Sequence, residues 1–113
     1  MTAGGDDIPV VRLDGEVDTV RAPQLRRDLM AAADNRDAGL VVDLTDVVYL
    51  DSAGVNVLFE LADRLGSRQV AMAVVVPEGG LVERVVTIVD LGSVVGIHRT
   101  VEDAVAAIRE TPD

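Results

Sequence analysis

The sequence has 113 residues, of which 49% are hydrophobic, and its 20 acidic against 10 basic residues give a formal net charge of −10. This length suits one domain with a sizeable core, and the aliphatic content excludes intrinsic disorder. The acidic balance argues against nucleic-acid binding, which needs clustered Lys and Arg, and the absence of cysteine excludes disulfides and thiolate metal sites.

Residues 1–7 are acidic and Gly-rich, and we expect them to form a short flexible N-terminus. They lack the basic start and apolar run of a signal peptide, and no apolar run in the chain approaches the ~20 residues that span a bilayer. We therefore expect a cytoplasmic protein without membrane insertion, whose single domain spans residues 8–113.

Short segments rich in β-branched residues alternate with longer segments of helical periodicity, which predicts an α/β fold. The predicted strands are Ile8–Val17, Leu40–Leu44, Val70–Val76 and Ile97–Arg99. Leu40–Leu44 is apolar enough to be buried on both faces of a sheet, and Val47–Leu50 is a short apolar segment that leads into the next helix.

A helix is predicted after each of these strands. The first has Thr19 as a candidate N-cap, and the second opens at Asp51 and ends near Gly66, a good C-terminal stop. The third covers Gly80–Val89, and the last begins at Thr100.

The start of the second predicted helix is the most informative segment. Asp51 and Ser52 are both good N-cap residues, so local physics alone explains the segment as a well-capped helix. The same geometry places the Ser52 hydroxyl at the sheet edge where open α/β folds keep their sites. A phosphate there would meet free N–H groups and the positive end of the helix dipole. Both interpretations remain open on the residues alone.

Three motifs carry a resemblance to a known family. Val10–Asp18, VVRLDGEVD, is similar to the strand-plus-GELD signature of STAS-domain anti-sigma factor antagonists. Val41–Leu58, VVDLTDVVYLDSAGVNVL, resembles their strand, DSSG switch and following helix, and Leu91–Ile108 resembles their closing strand and last helix. The similarity covers nearly the whole chain from about residue 8.

The resemblance implies a STAS fold, a mixed four- to five-stranded sheet packed by about four helices. It implies a binding protein rather than an enzyme, with no cofactor and no metal, present as a monomer or weak dimer. The unphosphorylated protein would bind an anti-sigma factor serine kinase and free a sigma factor, phosphorylation would release that kinase, and a serine phosphatase would reset the protein.

Residue roles follow from the same resemblance. Ser52 is the implied phosphoacceptor, with Asp51, Asp18 and Gly54 as switch neighbours. The implied partner interface comprises Gly15, Glu16, Asp18, Val55, Asn56 and Phe59. The sequence departs from the family pattern where Ala53 replaces the second Ser, where Asn56 replaces a common Gly, and where the usual strand before the GELD-type strand is missing or very short.

Other functions fit less well. A receiver domain needs an acidic pair just after its first strand and a Lys near its last, whereas Asp6-Asp7 precede the first strand and the sequence has no Lys. A serine hydrolase needs Gly where Leu50 stands, and His98 is the only histidine for a triad or zinc site. Two other STAS roles stay open: a subunit of a stressosome scaffold and a subunit of a lipid-transport complex.

Overall fold

The computed structural model describes residues 8–34 and 39–110. Its strands are β1 (Val10–Val17), β2 (Gly39–Leu50), β3 (Ala71–Val75) and β4 (Gly96–His98). Its helices are α1 (Ala22–Asp34), α2 (Ser52–Ser67), α3 (Gly80–Ile88) and α4 (Val101–Glu110), with a 3₁₀ turn at Leu91–Ser93 before β4. None of the helices in these two ranges is long and apolar enough to cross a bilayer.

The four strands lie in the order β1-β2-β3-β4, and each neighbouring pair is parallel. Each consecutive pair is joined through a helix, which is the connection that parallel pairing requires. The predicted α/β architecture with four strands and four helices is therefore confirmed. The expectation of a mixed sheet differs from the described sheet, which is parallel throughout; residues 1–7, where an additional strand would precede β1, lie outside the described residues.

The core lies on both faces of the sheet. The larger cluster contains buried residues of α1, α2 and α3 together with Leu40, Val42 and Leu44 of β2. The smaller cluster packs Val41 of β2 against Ala104 and other residues of α4 and β3. The prediction that Leu40–Leu44 is buried on both faces is thus confirmed.

Strand β2 is longer than predicted and determines where the site lies. Leu40–Leu44 and Val47–Leu50, predicted as separate segments, form one strand of 12 residues. Two register shifts in the β1–β2 pairing, between Arg12 and Asp14 and between Gly15 and Glu16, each place one extra residue in β2, and the pairing continues as far as Leu50. The pairing of β3 with β2 ends at Asp43, so within residues 8–34 and 39–110 the last part of β2 pairs only with β1.

The end of α2 differs from the prediction that Gly66 stops it. The helix continues to Ser67, and the left-handed residue is Gln69, with φ of 59°. The Val70 N–H donates to the Leu65 carbonyl at 2.9 Å and the Gln69 N–H to the Gly66 carbonyl at 3.0 Å. These two bonds form a Schellman motif, in which Gln69 occupies the position that glycine usually takes.

Candidate functional site

Asp51 connects the start of α2 to the turn that follows β1. Its Oδ1 accepts hydrogen bonds from the backbone N–H groups of Ala53, at 2.9 Å, and Gly54, at 3.1 Å. Its Oδ2 accepts from the backbone N–H of Thr19 at 3.2 Å and from the Thr19 hydroxyl at 3.3 Å. One carboxylate therefore caps the helix, as predicted, and also holds a segment 32 residues earlier in the chain.

The turn after β1 is organised by Asp18, not by Thr19. Asp18 Oδ1 accepts from the Arg21 N–H at 3.0 Å, and its carbonyl accepts from the Ala22 N–H at 2.8 Å, just where α1 begins. The prediction that Thr19 caps α1 is wrong, because its hydroxyl donates to Asp51 instead. Thr19 thereby brings the predicted switch neighbours Asp18 and Asp51 to the same end of the sheet.

Gly54 allows α2 to approach the end of β1 closely. A Cβ atom at this position would lie 2.6 Å from Val17 Cγ1, 2.8 Å from Leu50 Cδ1 and 2.9 Å from the Val17 carbonyl oxygen. Real Cβ atoms do not sit this close to other heavy atoms, so the start of α2 has room only for glycine here. Gly54 is therefore a packing residue that determines the position of the predicted phosphoacceptor.

Ser52 is the first residue of α2, and its side chain is exposed to solvent. The residues that follow it turn progressively inward, since Ala53 is half-buried and Gly54 is buried. The expectation that a phosphate on Ser52 would meet free N–H groups needs correction for the groups that other atoms already bind, although no hydrogen bond of the Ser52 N–H occurs within residues 8–34 and 39–110. The N–H groups of Ala53 and Gly54 already bind the Asp51 carboxylate, and the Val55 N–H binds the Asp51 carbonyl at 2.9 Å.

Gly15 and Arg21 shape the acidic end of β1. Gly15 has φ of 66°, a left-handed conformation that favours glycine, and lies at one of the two register shifts. The Arg21 guanidinium donates to the carbonyls of Asp14 and Glu16, the latter at 3.1 Å, and also binds the Asp14 carboxylate at 3.3 Å. Sequence reasoning missed Arg21, because no local pattern marks an arginine that binds backbone carbonyls across a turn.

The predicted partner interface is partly exposed. Glu16 and Asn56 are exposed, while Gly15 and Phe59 are half-buried. Val55 is a correction: its side chain is only 7% exposed and belongs to the larger core cluster, so a partner cannot reach it without unpacking α2. We remove it from the predicted interface.

A groove of about 240 Å³ between α3 and β4 was not predicted. On its wall, Glu83 accepts from the Gly79 N–H at 2.7 Å and from Arg99 at 2.7 Å. The Gly79 hydrogen bond, and after it the Arg99 hydrogen bond, hold the pKa of Glu83 below its ordinary value of 4.5. Arg99 also donates to the Val76 carbonyl at 3.2 Å, so these charged groups hold the start of α3 beside β4.

The described residues, 8–34 and 39–110, contain no group of three or more His, Cys, Asp or Glu side chains that could hold a metal ion. The arrangement around Ser52 thus consists of an exposed hydroxyl, a carboxylate engaged in structural hydrogen bonds, and a closely packed helix start. It offers a surface that a modification or a partner can reach.

Comparison with known proteins agrees with this geometry. The chain is similar to the anti-sigma-F factor antagonist RsfB of Mycobacterium tuberculosis, with 25% identity over 107 residues, which cover 95% of this chain and 86% of that protein. It is also similar to the crystal structure of an anti-sigma factor antagonist from Mycobacterium paratuberculosis, with 29% identity, a TM-score of 0.85, and coverage of 97% of this chain and 91% of that one.

The fold is shared with the phosphorylated form of the Bacillus cell fate determinant SpoIIAA, at 22% identity and a TM-score of 0.62, over 88% of this chain and 89% of that one. The family model of the STAS domain matches residues 1–104. This match confirms the family to which the three sequence motifs pointed. The chain belongs to the STAS domain family.

Proposed function

We propose that this protein is a cytoplasmic anti-sigma factor antagonist that binds an anti-sigma serine kinase while Ser52 is unphosphorylated and releases it after Ser52 is phosphorylated. A serine phosphatase restores the binding form. The observation that carries the proposal is the exposed Ser52 hydroxyl at the start of α2, where Asp51 and Gly54 make the structural contacts. The names of the mycobacterial relatives, both anti-sigma factor antagonists, support the regulatory role.

The free protein tolerates a phosphate on Ser52 at modest cost. Phosphorylation adds about −1.5 to −2 charges. At an effective dielectric of about 20, each added charge about 6 Å from the Asp51 carboxylate costs roughly 3 kcal/mol, about 4–6 kcal/mol for the whole phosphate, and exposure to solvent and salt reduces this value. The dipole of α2 returns about 0.3–1 kcal/mol. The remaining cost is smaller than the ~5–15 kcal/mol stability of a typical domain, so the fold survives.

A partner packed against the start of α2 faces a much larger cost. It meets the phosphate charge next to Asp51 and Asp18, and it must also remove water from a dianion. A loss of about 1.4 kcal/mol already lowers affinity tenfold. The modification therefore acts on the complex more strongly than on the free domain.

The test compares Ser52→Ala with Ser52→Asp. Each variant is used to capture partners from extract of the source cells, and the anti-sigma kinase that is recovered is purified and titrated by calorimetry. We expect Ser52→Ala to bind and Ser52→Asp to bind at least tenfold more weakly. Ser67→Asp is the matched control, because it adds the same charge at an exposed position at the other end of α2 and should leave the affinity unchanged.

Phosphate mapping completes the test. The kinase with ATP and magnesium should add one phosphate to the wild-type chain at Ser52 and none to Ser52→Ala. Equal affinities of the Ala and Asp variants, or phosphate on Thr19 or Thr45 alone, would contradict the proposal. Recovery of a membrane ATPase would instead favour a lipid-transport subunit, and assembly into megadalton particles would favour a stressosome scaffold.

A further inference from the structure

Large apolar side chains are exposed at the end of β2 that leads into the site. Val48 is 66% exposed and Tyr49 is 43% exposed, although both lie within a strand. Beyond Asp43 this part of β2 has no pairing with β3, so its only strand partner among the described residues is β1. Exposed aromatic residues are favoured at protein interfaces, because they bury a large area while few side-chain torsions lose their freedom.

Acidic side chains surround these two residues. Glu16 of β1 is the register partner of Tyr49, and Asp46 is the register partner of Asp14. Arg21 binds Asp14, whereas no ion pair involves Glu16 or Asp46 anywhere in residues 8–34 and 39–110. We call Glu16, Asp46, Val48 and Tyr49 the β1–β2 ledge, which is an apolar centre with an uncompensated acidic border.

We propose that the β1–β2 ledge is a docking surface for the anti-sigma kinase, and that it fits a partner surface with an apolar pocket for Tyr49 bordered by Arg or Lys. This inference rests on the proposed function; it keeps Glu16 of the predicted interface and adds Asp46, Val48 and Tyr49. The uncompensated charge of Glu16 and Asp46 selects a basic partner surface, because like charges across an interface disfavour wrong partners and opposite charges accelerate encounter.

The ledge is continuous with the regulated residue. Ser52 is three positions after Tyr49, so their Cα atoms lie within about 11 Å of each other. A stable interface covers about 800 Å² on each partner, which is a patch roughly 30 Å across. A partner that contacts the start of α2 therefore has the reach to cover the ledge as well.

The experiment measures binding of the same purified anti-sigma kinase to ledge variants that retain Ser52. We expect Tyr49→Ala to weaken binding at least tenfold and Val48→Ala about threefold. Val10→Ala is the matched control, since Val10 is also an exposed strand valine, 38% exposed, but lies at the opposite end of β1. Urea unfolding of each variant separates lost contacts from lost folding.

Charge and proximity give two further measurements. The double variant Glu16→Gln, Asp46→Asn should slow association and flatten its dependence on salt, with little change in dissociation. A photocrosslinking residue at position 49 should join to the kinase, whereas one at position 10 should not. The crosslinking substitution at position 49 does not shorten the side chain as Tyr49→Ala does. The crosslinking measurement therefore still tests the proposal if Tyr49→Ala unfolds.

The outcomes distinguish the two proposals. If Ser52→Asp weakens binding but Tyr49→Ala, Val48→Ala and the charge variant bind like wild type, the ledge proposal is overturned and the proposed function stands. If the ledge variants lose binding while Ser52→Ala and Ser52→Asp bind equally, the docking surface stands and the phosphorylation switch is overturned. Recovery of no anti-sigma kinase would overturn both.

Discussion

Replacing Gly54 by alanine tests whether the site depends on the close approach of α2 to β1. The added Cβ would lie 2.6 Å from Val17 Cγ1, and Val17 has a stiff β-branched side chain that cannot rotate away freely. The same Cβ would lie 2.9 Å from the Val17 carbonyl oxygen, which moves only with the strand. The start of α2 must therefore retreat from β1 by several tenths of an ångström.

The size of the effect follows from two opposing terms. Overpacking a close contact costs about 1–3 kcal/mol, and an alanine within a helix gains up to about 1 kcal/mol over glycine. We expect Gly54→Ala to lose about 1–2 kcal/mol net. Gly66, near the other end of the same helix, has nothing within 4 Å of its added Cβ, so Gly66→Ala should gain about 0.5 kcal/mol.

The assay is urea unfolding of the two variants followed by circular dichroism, with thermal melting as a second probe. The two substitutions add the same methyl group to the same helix, so their difference isolates the contact with Val17. For a domain of this size, about 4 °C in Tm accompanies each kcal/mol. The reasoning is refuted if Gly54→Ala is as stable as Gly66→Ala.

Three smaller predictions address other contacts. Asp51→Ala should lose about 1–2 kcal/mol of unfolding free energy, because it removes the cap of α2 and the bonds to Thr19; an unchanged urea midpoint would contradict this. Gln69→Gly should gain about 1 kcal/mol by relieving the left-handed backbone, and a loss in the same assay would refute the Schellman geometry. Because the folded pKa of Glu83 is lowered, the unfolded chain protonates first as the pH falls, and the contribution of Glu83 is lost from 4.5 downward. The stability difference between wild type and Glu83→Gln should therefore be present at neutral pH and vanish at low pH, whereas a constant difference would exclude the bonds of the Glu83 carboxylate to the Gly79 N–H and to Arg99 as its source.

The sequence predicted the order of strands and helices and a capped start of α2, with Asp51 and Ser52 both as candidates for the cap. These features are local, because β-branched runs, helical periodicity and a capping carboxylate act within a few residues of themselves. The exposure of Ser52 followed from the same local geometry. The predicted separation of Leu40–Leu44 from Val47–Leu50 was wrong for the opposite reason, since their continuity depends on pairing across two register shifts with β1, a partner about 30 residues away.

The remaining errors concern groups whose partners are distant in sequence. Thr19 has the chemistry of an N-cap, but the Asp51 carboxylate, which tertiary structure brings beside it, takes its hydroxyl. Val55 is next to the exposed Asn56 in α2, yet its side chain lies in the core. Helical periodicity in the sequence did not distinguish the buried residue from the exposed one at this helix start. Gln69 adopts a left-handed conformation that glutamine does not favour, so its residue type did not predict it.

The engagement of Asp51 determines what a phosphate on Ser52 can change. To reach the N–H groups of Ala53 and Gly54, the phosphate would have to replace the Asp51 carboxylate, exchanging one charged acceptor for another with little net gain. The replaced carboxylate would also lose its alignment with Thr19, and the repulsion between the two anions would remain. The phosphate is therefore better placed in solvent, with its hydration intact. In the proposed switch, a partner at the start of α2 would then meet an unchanged backbone carrying a new charge, so the switch would act through electrostatics and desolvation at the interface.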